Sequence, residues 1–458
     1  MSQLSVLVTS SSASPTKTAS LAANYQNRPS SSFGQKEEAQ RIESVENKSE
    51  KSPEWTPTSE AKTMRTNPTP SGPAQSPFAY AFLLTGCDPE ADKPWHLGFL
   101  YGIMVAVQVL RDGGSKADFI IMIRMTSPSG NATVTEQQRL PQEEWLRALN
   151  MRIMYIPSPD PTSSQQEDFG EAQMNKFHIL HLTEYQRILY LDSDVLPLCN
   201  LDYIFHLSTE AGKFYLKPNF VMAWTEEPAN GGFFMLEPKE GDYEQLQAII
   251  AHQRDRDRHL PYPHFDLTRG WGHRIKGTPD KWWARRRQGR AWNFYAANAD
   301  QGLLYHWVKY VKKNVFIAQI YRGEWWGTNE KGTLVLEKTA EQPLTNFSCL
   351  PKRFDKEKMR YAKHPAFKWM LLKHPPYGDH IHFYSVLKPW VRNESEAPIQ
   401  DRRHAPSALS YWFHVLRKLN AKLSMGVDFE NWKEHTMPMQ KNSVNRVFSM
   451  THMKARKL

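Results

Sequence analysis

Two acidic residues one position apart close an apolar run: Arg187-Ile-Leu-Tyr-Leu191 leads directly into Asp192-Ser193-Asp194. Left bare at the end of a strand, two carboxylates this close repel each other and lose hydration. A divalent cation relieves both costs, because hard cations take carboxylate oxygens and leave positions for phosphate oxygens. An Asp-x-Asp alone is a weak signal, since a solvated turn after a strand reads the same way. The apolar strand in front of it is what points to metal-assisted binding of a phosphorylated ligand.

The surrounding elements support that placement. Phe78–Leu84, Asp118–Ile123, Met151–Ile156 and Arg187–Leu191 are short apolar runs bounded by turn residues, as buried strands are. Between them Phe99, Ile103, Val107 and Leu110 recur at helical spacing, and helices are expected over Glu143–Leu149 and about Glu171–Leu182. Strands alternating with helices predict an α/β fold whose mostly parallel sheet carries helices on both faces. Ligands in such folds bind beyond the carboxyl ends of the strands, where Asp192 and Asp194 stand. Further on, strands are expected at Val221–Trp224, Phe233–Leu236 and Ile381–Tyr384, and helices at Tyr243–Arg254, Gln301–Lys309 and about Ala408–Leu419.

Four ordered blocks resemble glycosyltransferase family 8, the glycogenin-like enzymes, over about residues 78 to 392. Lys176, Leu182-Thr-Glu-Tyr185 and Asp192-Ser193-Asp194 form the first. Asn230-Gly231-Gly232, Asp300-Gln301-Gly302, and His382-Phe-Tyr-Ser385-Val-Leu-Lys388-Pro389-Trp390 follow. The resemblance implies a GT-A (Rossmann-like) fold, a UDP-sugar donor, manganese, and transfer of a hexose or related sugar to an acceptor hydroxyl with retention of configuration. By the same resemblance Asp192, Asp194 and His382 are the metal ligands, an imidazole beside two carboxylates suiting a transition metal. Lys388 meets the diphosphate and eases departure of UDP. Lys176, Ser193, Asn230, Gly231, Gly232 and Ser385 surround the donor, glycine allowing the backbone close to the sugar. Asp300 and Gln301 hold sugar hydroxyls or stabilise the reacting anomeric centre. Front-side attack by the acceptor and a covalent intermediate both remain compatible with these residues.

Three departures from the family pattern bear on the substrate. Ser385 stands where glycine is usual, Ala297-Asn298-Ala299 replaces an aspartate and two glycines, and Trp224-Thr-Glu226-Glu227 lacks the usual aspartate. A catalytically silent sugar or nucleotide binder is the alternative they motivate. A self-glucosylating primer is another, with Tyr262 or Tyr295 as acceptor.

Composition sets the outer bounds. The chain has 458 residues, 40% of them hydrophobic, which is ample for a core. A formal charge of +10 fits an anionic partner, be it nucleic acid, a membrane surface or a phosphorylated small molecule, while the family resemblance implies a nucleotide-sugar donor with a carbohydrate or glycoconjugate acceptor. No nucleic-acid motif accompanies it. Three separated cysteines, Cys87, Cys199 and Cys349, argue against a zinc site or a disulfide framework. Residues 1–76, rich in Ser, Thr and Pro, are expected to be disordered, residues 77–392 to form the transferase domain, and 393–458 a polar extension. Within the domain, 252–292 is an insertion whose Trp271, Trp282, Trp283 and Trp292 suit either sugar stacking or a satellite core, with Arg285-Arg286-Arg287 at its edge. The longest apolar run, Gly98–Leu110, is about thirteen residues where a membrane span needs roughly twenty. With no apolar leader core, a cytoplasmic location is favoured over the Golgi lumen or an organelle.

Overall fold

The computed structural model describes residues 69–87, 96–125, 139–157, 173–209, 217–222, 228–257, 266, 269–272, 292, 294, 296–321, 324–328, 334–336, 380–383, 388–391, 406–432 and 436. The expectations for residues 1–68, the greater part of the insertion with its arginines, Trp282 and Trp283, the loop at Trp224, and Tyr262, Tyr295 and Ser385 lie outside them.

Strand β1 (Phe78–Cys87) leads into helix α1 (Leu97–Asp112), β2 (Asp118–Met125), α2 (Glu143–Ala148) and β3 (Arg152–Tyr155). A 3₁₀ helix at Asn175–His181 precedes β4 (Arg187–Leu191), β5 (Val195–Pro197), α3 (Tyr203–Thr209), β6 (Asn219–Met222), β7 (Phe233–Leu236) and α4 (Asp242–Asp257). Then come α5 (Asp300–His306), continued by a π turn to Val311, and β8 (Val315–Tyr321), β9 (Glu324–Thr328), β10 (Leu334–Leu336) and β11 (His380–His382). A 3₁₀ turn at Pro389–Val391 and helix α6 (Pro406–Leu423) complete the described elements.

Among the described residues one nine-stranded sheet runs in the order β10-β9-β8-β6-β7-β4-β1-β2-β3, and β5 pairs separately with β11. Strands β3, β2, β1 and β4 are parallel to one another; β7 is antiparallel to both β4 and β6, and β8 runs with β6. The sheet is thus mostly parallel up to β8, with β9 and β10 turning back as antiparallel additions. That is the expected α/β class.

Both faces are covered. Along β1, Tyr80, Phe82 and Leu84 enter one hydrophobic cluster with α1 and α6, while Ala79, Ala81 and Leu83 enter another with the 3₁₀ helix, α4 and α5. Successive side chains of a strand point to opposite faces, so a strand buried on both reads as an unbroken apolar run. Helix α1 is buried nearly all round, with only its last turn exposed, which accounts for its uninterrupted apolar sequence. No helix among the described residues is long and apolar enough to cross a membrane.

The structure departs from the expectations in several places. The helix expected over Glu171–Leu182 is a 3₁₀ helix at Asn175–His181, and the one over Gln301–Lys309 starts at Asp300 and widens into the π turn. Strands β5, β8, β9 and β10 were not anticipated, the shortest of them being only three residues long. The core also continues past residue 392. Helix α6 buries Leu409, Trp412, Phe413, Leu416 and Leu419 in the α1 cluster, with Met425, Val427 and Trp432 following. Of the cysteines, Cys87 is a buried free thiol and Cys199 is disulfide-bonded, which the sparse cysteines gave no reason to expect.

Candidate active site

Four chain segments meet at the carboxyl end of β4. The strand places Asp192 directly after Leu191, and Asp192 N–H donates to the Gly232 carbonyl at 2.9 Å, extending the β4–β7 ladder by one rung. Asp194 opens β5. Strand β11 pairs with β5 so that His382 faces Val195, and Phe383 N–H donates to the Asp194 carbonyl at 2.8 Å. Residues almost two hundred positions apart are thereby held by backbone hydrogen bonds rather than by side-chain reach alone.

The side chains converge accordingly. One ligand atom from each of Asp192, Asp194 and His382 lies within 4.8 Å of the others. His382 Nε2 is 3.0 Å from Asp194 Oδ1, and Lys388 Nζ is 2.8 Å from Asp194 Oδ2. Gly232 leaves the room they need: a Cβ there would sit 2.6 Å from Asp192 Oδ2 and 2.7 Å from His382 Cε1. Such a donor set, two carboxylates and an imidazole in a cradle only glycine permits, fits a divalent transition metal.

Charge in the cluster is strongly partitioned. Burial alone would raise the Asp194 carboxyl, yet Lys388 and His382 hold it below the usual carboxylate range. Burial raises Asp192, with Lys176 opposing and the like charge of Asp194 adding. For His382, burial favours the neutral ring, but the neighbouring Asp194 and Asp192 carboxylates outweigh it and raise its pKa.

Behind Asp192 stands Lys176, whose side chain is only 1% exposed. Its ammonium donates to Asp300 Oδ2 at 2.5 Å and to the Gly231 carbonyl at 2.9 Å, and lies 3.4 Å from Asp192 Oδ1. Burial depresses its pKa, and the two aspartates more than restore it. Tyr190 adds its hydroxyl, donating to Asp192 Oδ1 at 2.9 Å. Asp192 therefore has Oδ1 engaged inward and Oδ2 turned toward the Gly232–His382 side.

Asn230 and Gln301 hold the paired glycines. Gly232 N–H donates to Asn230 Oδ1 at 2.7 Å, and Gly231 N–H to Gln301 Oε1 at 3.0 Å. Gly231 also lies hard against Asp300, where a Cβ would approach Oδ2 to 2.2 Å. The structure thus gathers Lys176, Asp192, Ser193, Asp194, Asn230, Gly231, Gly232, Asp300, Gln301, His382 and Lys388 into one region.

Two further observations refine the sequence reading. Trp271 and Trp292 belong to the core: Trp271 Nε1 donates to the Ala297 carbonyl at 2.9 Å, and a Cβ on Gly270 would lie 2.0 Å from the Trp292 ring. Tyr190 and the residues after 392 were not singled out from sequence. Tyr190 sits inside the apolar strand, where alternation marks it only as buried.

Compared with known protein families, the chain matches none. UDP-glucuronate:xylan alpha-glucuronosyltransferases 1 and 2 of Arabidopsis thaliana are 25% and 27% identical to it over 109 residues, 24% of this chain. A third, the putative UDP-glucuronate:xylan alpha-glucuronosyltransferase 3 of the same plant, is 27% identical over 141 residues, 30% of the chain. The chain spans only 15%, 16% and 21% of the length of these relatives. Among solved structures, the glycosyltransferase GlyE of Streptococcus pneumoniae TIGR4 aligns over 75% of this chain and 63% of its own, at 14% identity and a TM-score of 0.35. The bifunctional glycosyltransferase WbbM aligns over 78% of this chain and 52% of its own, at 11% identity and a TM-score of 0.36.

Proposed function

We propose that this chain is a nucleotide-sugar-dependent glycosyltransferase of the GT-A, glycogenin-like kind, taking a UDP-sugar with manganese and transferring the sugar with retention of configuration. The observation that carries the reading is the convergence of Asp192, Asp194 and His382 within 4.8 Å, with the Lys388 ammonium on the same carboxylate. Resemblance in the sequence blocks and the local likeness to curated glucuronosyltransferases support the same class.

In this reading Asp192, Asp194 and His382 hold the cation, which when bound would neutralise charge on the donor diphosphate. Lys388 adds a positive charge beside Asp194, available to the leaving phosphate as negative charge develops there. Gly231 and Gly232 offer bare backbone to the sugar, and Asn230 and Gln301 keep that backbone from shifting. Asp300 faces the sugar side with one oxygen fixed by Lys176, positioned to stabilise an electron-poor anomeric carbon. Lys176 acts as a buried strut between the metal aspartate and Asp300 rather than as a direct phosphate contact.

Titration of UDP into the folded protein should show binding that needs Mn2+, and Asp192→Ala and Asp194→Ala should abolish that Mn2+-dependent binding. A thermal-shift panel of UDP-sugars, UDP-glucuronate among them, should then identify the donor. Folded wild-type protein that binds no UDP with Mn2+ present would overturn the proposal. The second reading is a silent binder, favoured by the engagement of Gln301 Oε1 by Gly231 N–H and by the left-handed Ala296 (φ 51°) just before the altered Ala297-Asn298-Ala299 run. UDP binding without turnover of any donor would select it.

A further inference from the structure

Lys388 is held from two sides. Its Nζ meets Asp194 and lies over the rings of Phe99 and Trp390, 5.6 Å from each centroid. The turn that carries it is short: Val391 N–H donates to the Lys388 carbonyl at 2.9 Å. The Trp390 indole is seated on α1, so tightly that a Cβ on Gly98 would come within 2.5 Å of it.

The other side of that turn is closed by the chain beyond α6. Trp432, 1% exposed, donates its indole N–H to the Pro389 carbonyl at 3.1 Å. The Thr436 hydroxyl, fully buried, is 2.7 Å from the Trp390 carbonyl oxygen and 2.9 Å from that of Trp432. Both carbonyls lie within reach of its one proton, the Trp390 oxygen being the nearer. Trp432 in turn is wedged among Phe413, Trp412, Tyr101 and Phe429, with ring centroids 5.2 to 6.0 Å away. Two consecutive backbone carbonyls, on the residues immediately after Lys388, are thus satisfied by side chains from one distant segment. Aromatic packing alone would bury the segment. The paired donors also fix the orientation of the peptide groups that aim the lysine.

Resting on the donor site proposed above, we propose that Trp432 and Thr436 are positioning residues of that site: they fix the Lys388-Pro389-Trp390 turn and, through it, the ammonium that meets the diphosphate. The C-terminal segment is then part of the donor-binding machinery.

A double-mutant cycle on UDP affinity, with Mn2+ present, separates this from a purely structural role. Thr436→Val keeps the volume and removes the hydroxyl. It should weaken UDP binding about five- to tenfold, the loss expected when one buried hydrogen bond is removed. Uridine binding should be unchanged, and Thr436→Ser should restore UDP affinity. In the Lys388→Ala background the same Thr436→Val change should cost little further, because both act through one group. Melting temperature and circular dichroism are read alongside, and Trp432→Phe takes the place of Thr436→Val should the latter lose its fold. Unchanged UDP affinity, or losses that multiply fully with Lys388→Ala, would overturn the inference while leaving the proposed function intact. Wild-type protein that binds no UDP would overturn both.

Discussion

At the scale of single residues, Lys176 shows how a charged side chain can be structural and site-forming at once. A buried ammonium is costly unless opposite charges and acceptors surround it, and here two aspartates and a carbonyl do so. Removing it should be worse than never having had it, since Asp300 and Asp192 would then face each other without their shared buried counter-charge. Lys176→Met is expected to destabilise the fold by about 3 kcal/mol or more, read by urea unfolding. A variant as stable as the wild type would show that the strut is dispensable. The Asp192-Ser193-Asp194 pair was legible in the sequence as a candidate site, and Lys176 was a candidate only through the family resemblance. The specific partners of Lys176 were not legible, because Asp300 lies far along the chain and only the fold brings it within hydrogen-bond reach.

At the scale of elements, the site depends on how closely α1 and β7 approach the turn after β4. Gly102 of α1 touches the Ser193 carbonyl oxygen, where a Cβ would come to 2.1 Å, and the Trp390 ring at 3.0 Å. A backbone oxygen cannot swing aside as a long side chain can. Gly102→Ala should therefore either push α1 from the sheet or displace the Asp192-Ser193-Asp194 turn. About 1–3 kcal/mol of stability should be lost, together with Mn-dependent UDP binding. Full stability and unaltered nucleotide affinity would refute that close approach. Periodicity revealed α1 and β4 readily, since burial on all sides leaves continuous apolar runs. It missed β5 because three residues carry no period. It also missed the role of α6, whose apolar face reads equally well as any amphipathic surface helix.

For the molecule as a whole, buried neutral histidine should shape acid stability. His178 is buried in the 3₁₀ helix Asn175–His181, with Tyr243 Oη 3.2 Å from its Nε2, and its Nδ1 has no hydrogen-bond partner among the described residues. Burial, then the nearby His181 and Arg124, push its pKa down to about 3. The folded protein thus keeps the ring neutral while the unfolded chain protonates it near the ordinary value of about 6.5. Stability from this group is complete above that value and is lost as pH falls through the window toward about 3, at up to about 1.4 kcal/mol per pH unit. Urea unfolding at pH 7 and pH 5 should show the loss, and His178→Gln should lessen it, the buried His380, also pushed down to about 3, keeping a share of its own. Equal pH dependence in that variant would locate the acid sensitivity elsewhere.

Sequence by itself determined the α/β class, the order of the first four strands and the aspartate pair at the end of β4. These are properties of local pattern: apolar runs, turn residues and a charge pair at their boundary survive without knowledge of what packs where. The family resemblance already set His382 beside the two aspartates; only the tertiary structure decided that it arrives by β11 pairing with β5, that Lys176 bridges to Asp300, and that the chain after residue 392 clamps the Lys388 turn. Each of those contacts joins segments distant in sequence. Their geometry is set by strand pairing and by the seating of rings against glycines, and neither leaves a periodic trace in the chain.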